Sequence, residues 1–338
     1  MREPPKIGDA EIEAALRGRY DVAVATLTFL PLGSDSASFV YRVDAADGAA
    51  FFLKVRAGSG FGVPSLAVPR FLCDRGVPHI VGPLPTATGE LWTGVDGFAL
   101  SLWLFIDGRV GADVGLSGAQ WRTLGAAVRE IHATVLPPDL AQIVPREAFI
   151  PSRRGLIDEL EACLSEPSLT DRSQREWAAF WRFRRDVIHR VVQRADDLGR
   201  RLRRKSIASV LCHADLHTWN VLVDARQQLW LIDWDETILA PKERDLMFAV
   251  GGIGGDSVTP NSTACFLQGY GLAEVDSTAL AYYRYAWAVQ DIAAYGERVF
   301  FMPDLGEASR CDAVDSFKSL FEPGRIVSRA LASDGLVA

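Results

Sequence analysis

Apolar and polar residues alternate along the early part of the chain, and the alternation predicts strands. Val22 to Leu30 reads as a first strand, Pro31 to Ser36 as a turn of Gly, Ser and Asp, and Phe39 to Val43 as a second strand. Asp47-Gly48 turns the chain into a third strand, Ala49 to Arg56. A short helix from Val68 to Arg75 ends at Gly76, and a strand pair around Leu91-Trp92 and Phe98 to Phe105 completes five mostly antiparallel strands with one helix. Beyond Asp107-Gly108 the period becomes helical. Ser117 is placed to cap a helix carrying Trp121, Leu124, Val128, Ile131 and Val135 on one face. Prolines at 137, 138, 145 and 151 interrupt the pattern before helices across Ser152 to Lys205, where Trp177, Trp181, Ile188, Val191, Ala195 and Leu198 recur at helical spacing.

These elements predict an α+β chain of two lobes. Residues 1–103 form an antiparallel β lobe and residues 104–338 a mainly helical one, with a helical insert at 152–205. One further patch of strand pattern lies inside the helical part. Asn220 to Val223 and Leu229 to Asp233 flank the turn-like Asp224 to Gln228, which reads as a β-hairpin that puts Asn220 roughly opposite Asp233. An amide oxygen and a carboxylate then converge, a donor set suited to a hard cation such as magnesium. Asp215, in the loop before the hairpin, is left facing outward.

Asp215, Asn220 and Asp233, spaced five and thirteen residues apart, are the parts that phosphoryl transfer requires to place a hydroxyl and hold magnesium against a nucleotide. Lys54, on the third strand beneath the turn at Gly33, is placed to pair with nucleotide phosphates. Ser34 and Ser36 offer hydroxyls and backbone N–H groups to the same phosphates. Asp35 would repel them and is expected to face solvent, a cation or the acceptor. No acidic residue occurs from Val55 to Cys73, so a carboxylate partner for Lys54 is either missing or supplied from elsewhere.

The His213/Asp215/Asn220 loop, the strand end Ile232-Asp233-Trp234-Asp235-Glu236 and the segment Ala240 to Phe248 together resemble the aminoglycoside phosphotransferase family. With Leu32-Gly33-Ser34-Asp35, the last two segments look most like its spectinomycin phosphotransferase branch. The resemblance spans about Ile7 to Phe301 and implies a protein-kinase-like two-lobed fold. It implies Asp215 as the catalytic aspartate, Asn220 and Asp233 as magnesium ligands and Lys54 as the phosphate-binding lysine. It further implies adenine contacts from the backbone at Leu104 and Ile106, and Asp245 as a brace for the loop. His213 is expected to support the loop through its backbone, and His217 is a candidate contact to acceptor or phosphate.

A polycationic acceptor calls for carboxylates and aromatic walls. The candidates are Asp235 and Glu236 past the hairpin, with Asp291, Tyr295 and Glu297 on a late helix, where Asp291 and Tyr295 share a face. Trp219 and Trp234 are read as packing wedges. The glycine runs at 58–62 and 251–255 lack the strand-to-helix setting of a Rossmann fingerprint and are read as connectors.

Composition narrows the classes. A net charge of -7 over 338 residues disfavours nucleic acid as partner, and the arginine-rich stretch from Arg172 to Lys205 reads as the solvated face of a packed helix. Five cysteines without a C-x-x-C pair read as reduced thiols. The start lacks an apolar leader, and no run approaches the ~18 apolar residues of a membrane span, so a cytoplasmic protein is expected. The resulting expectation is an ATP- or GTP-dependent, magnesium-dependent O-phosphotransferase acting on a small cationic aminocyclitol or aminoglycoside. The alternatives are a kinase of choline, homoserine, a sugar or a macrolide, and a nucleotide-binding pseudokinase suggested by the glycine-poor turn.

Overall fold

The structure, a computed structural model, describes residues 4–32, 37–58, 61–164, 169, 171–253, 258–271, 274–302 and 305–337. The chain forms two compact units, each made of two stretches. The first comprises Met1–Pro145 with His213–Ile238, and the second Arg146–Cys212 with Leu239–Ala338.

The first unit opens with a helix absent from the sequence expectation, α1 (Asp9–Tyr20). Only Ile12 and Leu16 of α1 are buried, too few to give a visible apolar face. Strands β1 (Val24–Leu30), β2 (Ser38–Ala45) and β3 (Ala50–Ala57) follow, then helix α2 (Val63–Asp74) and strands β4 (Pro83–Leu84), β5 (Thr93–Val95) and β6 (Phe98–Leu104). The six strands form an antiparallel sheet of order β1-β2-β3-β6-β4, with β5 also on β6. Lys54 lies mid-sheet, opposite Val40 on one side and Ser101 on the other. Its neighbours Leu53 and Val55 enter the core with Tyr41, Val43, Leu100 and Leu102, so strand alternation sends Lys54 and Arg56 to the opposite face. Helix α2 begins five residues before the expected Val68. Pro64 suits its first turn, and Pro69 is tolerated inside it despite the lost N–H.

Past the sheet come β7 (Gly108–Val110), α3 (Gly111–Val114), α4 (Gly118–Ala133) and α5 (Pro138–Ile143). Ser117 and Gln120 close a reciprocal capping box on α4, which buries Trp121, Leu124, Val128 and Ile131. Val135 was expected on that face but lies beyond the helix end and is 84% exposed.

In the second unit, α6 (Arg154–Cys163) and α7 (Arg172–Leu202) precede strand β8 (Val210–Cys212). The six apolar residues singled out on α7 are all fully buried. The chain then returns to the first unit for the hairpin β9 (Val221–Asp224) and β10 (Leu229–Leu231), which makes a three-stranded sheet of order β10-β9-β7. Strand β11 (Ile238–Ala240) pairs with β8, and helices α8 (Glu243–Ala249), α9 (Pro260–Tyr270), α10 (Ser277–Phe300), α11 (Glu307–Ser319) and α12 (Ile326–Ala332) complete the second unit. Antiparallel sheet early and helices late make this the expected α+β chain. Among the described residues no helix is long and apolar enough to cross a membrane.

Helix α10 is the centre of the second unit, packing against α6, α7, α8, α11 and α12. Trp177 stacks on both Trp181 and Phe317, each at 4.7 Å between ring centroids. Gly296 is where α10 comes closest to its neighbours: a methyl there would run into Leu160 and sit 3.0 Å from the Trp177 ring. Gly296→Ala is therefore expected to overpack this junction and cost about 1–3 kcal/mol. Urea unfolding of the variant checks it, and an unchanged midpoint would show that α6 and α10 part without penalty.

Candidate functional site

The hairpin sets the site's register. Val221 pairs with Leu231 and Leu222 with Trp230. The Ile232 N–H then donates to the Asn220 carbonyl at 3.1 Å, so Asp233 emerges one residue past the position opposite Asn220. Asp224 fixes the turn by accepting from the backbone N–H groups of Arg226 and Gln228, both at 2.9 Å, and from the Trp230 indole at 3.0 Å. Strand β7 presses on the other edge of β9. A Cβ at Gly108 would lie 3.0 Å from the Val223 carbonyl oxygen, a tight contact that would press the two backbones apart by a few tenths of an ångström.

His213 ties the preceding loop to this hairpin. Its Nε2 donates to the Ile232 carbonyl at 3.0 Å, and its Nδ1 accepts from the Asp215 N–H at 3.3 Å, which assigns the neutral Nε2–H tautomer. The ring is fully buried and lies 4.6 Å from buried Trp234. The Asp215 carboxylate is held from two sides. Asn220 Nδ2 donates to Oδ2 and to the Asp215 carbonyl, both at 2.8 Å, and His217 Nε2 lies 3.2 Å from Oδ1. With Nδ2 committed to Asp215, the side-chain Oδ1 of Asn220 is the atom left to face a cation.

Lys54 reaches the same place from β3. Its Nζ is 2.7 Å from Asp235 Oδ2 and 3.3 Å from Asp233 Oδ1, and Arg56 Nη1 is 3.5 Å from the same Asp235 oxygen. Burial disfavours the Lys54 charge, but the negative charges of Asp233 and Asp235 outweigh it and hold its pKa above the ordinary lysine value. Among the described residues, the carboxylates in contact with Lys54 thus come from the hairpin exit. Asp235, expected among acceptor contacts, has its carboxylate on Lys54 and Arg56. Asp233 and the side-chain amide oxygen of Asn220 are hard oxygen donors of the kind that fit magnesium.

The remaining expected residues are less concentrated. Gly33, Ser34, Asp35 and Ser36 lie outside the described residues. Leu104 ends β6 with its side chain 53% exposed, and Ile106 is half-buried just beyond it. Glu236 is exposed next to Asp235. Asp291, Tyr295 and Glu297 lie on α10 in the second unit, each half-buried. Arg153 forms an ion pair with Glu297, and the Arg298 guanidinium sits 5.5 Å from the Tyr295 ring centroid. Asp245 is fully buried in the first turn of α8. Sequence reasoning passed over Arg56, although its place two residues after Lys54 on one strand face was a usable signal.

His217, read from sequence as an acceptor or phosphate contact, is instead engaged with Asp215. Burial lowers its pKa, but the hydrogen bond and negative charge of Asp215, helped by Asp233, leave it raised above 6.5. A raised folded-state pKa means that the stability from the His217–Asp215 pair is complete below about pH 6.5 and is lost as pH rises through the folded value. Titration of the ring by NMR should give a midpoint above 6.5 that falls in Asp215→Asn. A midpoint indifferent to that substitution would separate the ring from the carboxylate.

Residues 28–288 match the model of the phosphotransferase enzyme family. Among solved structures, the chain is similar to spectinomycin phosphotransferase APH(9)-Ia in complex with ADP and spectinomycin, at 31% identity and a TM-score of 0.87, covering 98% of this chain and 99% of that one. It also resembles an amicoumacin kinase in complex with AMP-PNP and Ca²⁺, at 17% identity and a TM-score of 0.63, over 95% of this chain and 96% of that one. A choline/ethanolamine kinase family protein from Mesorhizobium loti follows at 18% and 0.54, over 96% and 98%. These last two are similar in fold alone. No curated protein matches the chain. With a family match over most of its length and a nucleotide-bound relative across nearly all of it, the chain belongs to the phosphotransferase enzyme family and is a small-molecule kinase.

Proposed function

We propose that the protein transfers a phosphoryl group from ATP or GTP to a hydroxyl of a cationic aminocyclitol, with spectinomycin as the first acceptor to test. The observation that carries this reading is the convergence of Lys54, Asp215, Asn220 and Asp233 in one compact unit. The near full-length likeness to a phosphotransferase that binds ADP and spectinomycin supports the acceptor class.

Asp215 orients the acceptor hydroxyl and takes its proton late in transfer. Held by Asn220 and His217, its carboxylate still has lone pairs to accept that hydroxyl, since two oxygens offer about four acceptor sites. Magnesium held by Asn220 and Asp233 supplies neutralisation of the charge that develops on the phosphates. Lys54 holds those phosphates from β3, with residues 1–103 as the nucleotide lobe and the adenine edge at Leu104 and Ile106. Gly33, Ser34 and Ser36 complete the phosphate contacts. In the lobe from 104 to 338, Glu236, Asp291 and Glu297 pair with protonated amines while Tyr295 covers apolar surface. His213 and Asp245 keep the 213–220 loop in place. The cytoplasm, where nucleotide is plentiful, is the proposed setting.

Asp215→Asn should lower turnover by ~10²- to 10⁴-fold while leaving nucleotide affinity near its original value. Near-normal turnover in that variant would remove Asp215 from the reaction. The acceptor is tested by offering ATP or GTP with magnesium and a panel of spectinomycin, other aminoglycosides, choline and homoserine, reading phosphorylated product by mass spectrometry. A spectinomycin product absent from the Asp215→Asn control is the expected result; product on choline or homoserine alone would overturn the aminocyclitol assignment.

A further inference from the structure

Kinases of this plan place the strand lysine with a glutamate from the next helix. Here α2 carries no carboxylate before its last residue, Asp74, and that residue is paired with Arg70. Yet Lys54 is not left loose: its side chain is only 14% exposed, and its strand is locked in register on both sides. A buried ammonium requires a carboxylate close by.

Among the described residues two carboxylates contact it, and they differ. Asp233 is the longer contact, at 3.3 Å, and its oxygens are those assigned to magnesium. Once Asp233 takes a cation, its negative charge is shared and Lys54 depends on its other partner. Asp235 Oδ2 is that partner at 2.7 Å, and it is itself pinned by Arg56 on the far side. The backbone that carries Asp235 is fixed as well. Trp234 before it is buried, and the Thr237 N–H returns to the Trp234 carbonyl at 3.2 Å to close a turn around Asp235.

We propose that Asp235 is the positioning residue for Lys54, taking from the hairpin exit the role that a helix carboxylate performs elsewhere, with Arg56 steadying it. Lys54 and Arg56 are one strand step-pair apart, so a single carboxylate between them sets the height of the lysine above the sheet. The role rests on the kinase reading, because a lysine needs accurate placement here only if it meets phosphates. It also moves Asp235 away from the acceptor: its charge is committed to β3.

The test is a double-mutant cycle on the full chain, with affinity for ATP in the presence of magnesium read by calorimetry and phosphorylation of spectinomycin read alongside. Asp235→Asn should weaken nucleotide binding about 10-fold in the wild-type background and less than about 2-fold in Lys54→Met, because coupled residues are non-additive. Asp235→Glu should recover part of the loss, and circular dichroism at the assay temperature should show each variant folded. Equal losses in both backgrounds would overturn the role and make Asp235 an independent magnesium ligand. Unchanged affinity in Asp235→Asn would overturn it outright. Wild-type protein that binds no magnesium nucleotide overturns the kinase reading and this role with it, whereas binding without spectinomycin phosphorylation sinks the acceptor alone and leaves the cycle to decide on Asp235.

Discussion

The imidazole of His213 is the contact on which the site's geometry depends. It joins two backbone groups that no secondary structure would otherwise connect, the Asp215 N–H and the Ile232 carbonyl. Because the next residue after Ile232 is Asp233, one ring fixes the separation between the loop carboxylate and the strand-end carboxylate. The ring is fully buried, so its loss would leave buried polar groups without partners, an error worth about 1–3 kcal/mol for each group left unsatisfied. An aliphatic residue of similar volume could fill the space but could not make both bonds.

Charge balance follows from that placement. Bringing Asp215, Asp233 and Asp235 into one loop-and-hairpin region is unfavourable by itself, since like charges repel. The fold answers with Lys54 against Asp233 and Asp235, Arg56 against the same Asp235 oxygen, and His217 against Asp215. The Lys54 and Arg56 charges offset that repulsion. They also explain why Lys54 needs no carboxylate from α2: the hairpin exit already carries a surplus.

Much of this was legible in the sequence because it is written in local patterns. Period-two alternation located β1, β2, β3 and β6, and the short turn between two apolar runs gave the β9–β10 hairpin with its near alignment of Asn220 and Asp233. Helix α1 was not legible, since burying only Ile12 and Leu16 leaves no amphipathic signature. The start of α2 was hidden by Pro64 and Pro69, which read as breakers until tertiary packing overrides them. Partnerships across long sequence separation were the least accessible. Nothing near Lys54 in sequence names Asp235, 181 residues away, as its partner. Such pairs are decided by how strands are laid side by side, which local propensity does not encode.

Backbone strain marks the same two points that the hydrogen bonds single out. Ala214 and Asp233 are non-glycine residues in the left-handed region, at φ +67° and +63°. Each such residue costs on the order of 1 kcal/mol or more and persists only where its surroundings over-determine it. Ala214 sits between His213 and Asp215, and its reversed φ turns the chain so that the His213 ring accepts from the N–H two residues on. Asp233 ends the hairpin strand, and the same conformation bends the chain off the ladder. Trp234 then turns into the core while Asp233 and Asp235 both point at Lys54. Continued extended backbone would also keep residues 233 and 235 on one face, but it would carry the chain on along the ladder, whereas the left-handed residue ends the strand at Asp233. The strain at Ala214 and Asp233 is therefore the local cost of two changes of chain direction, offset by the buried ring and tryptophan beside them.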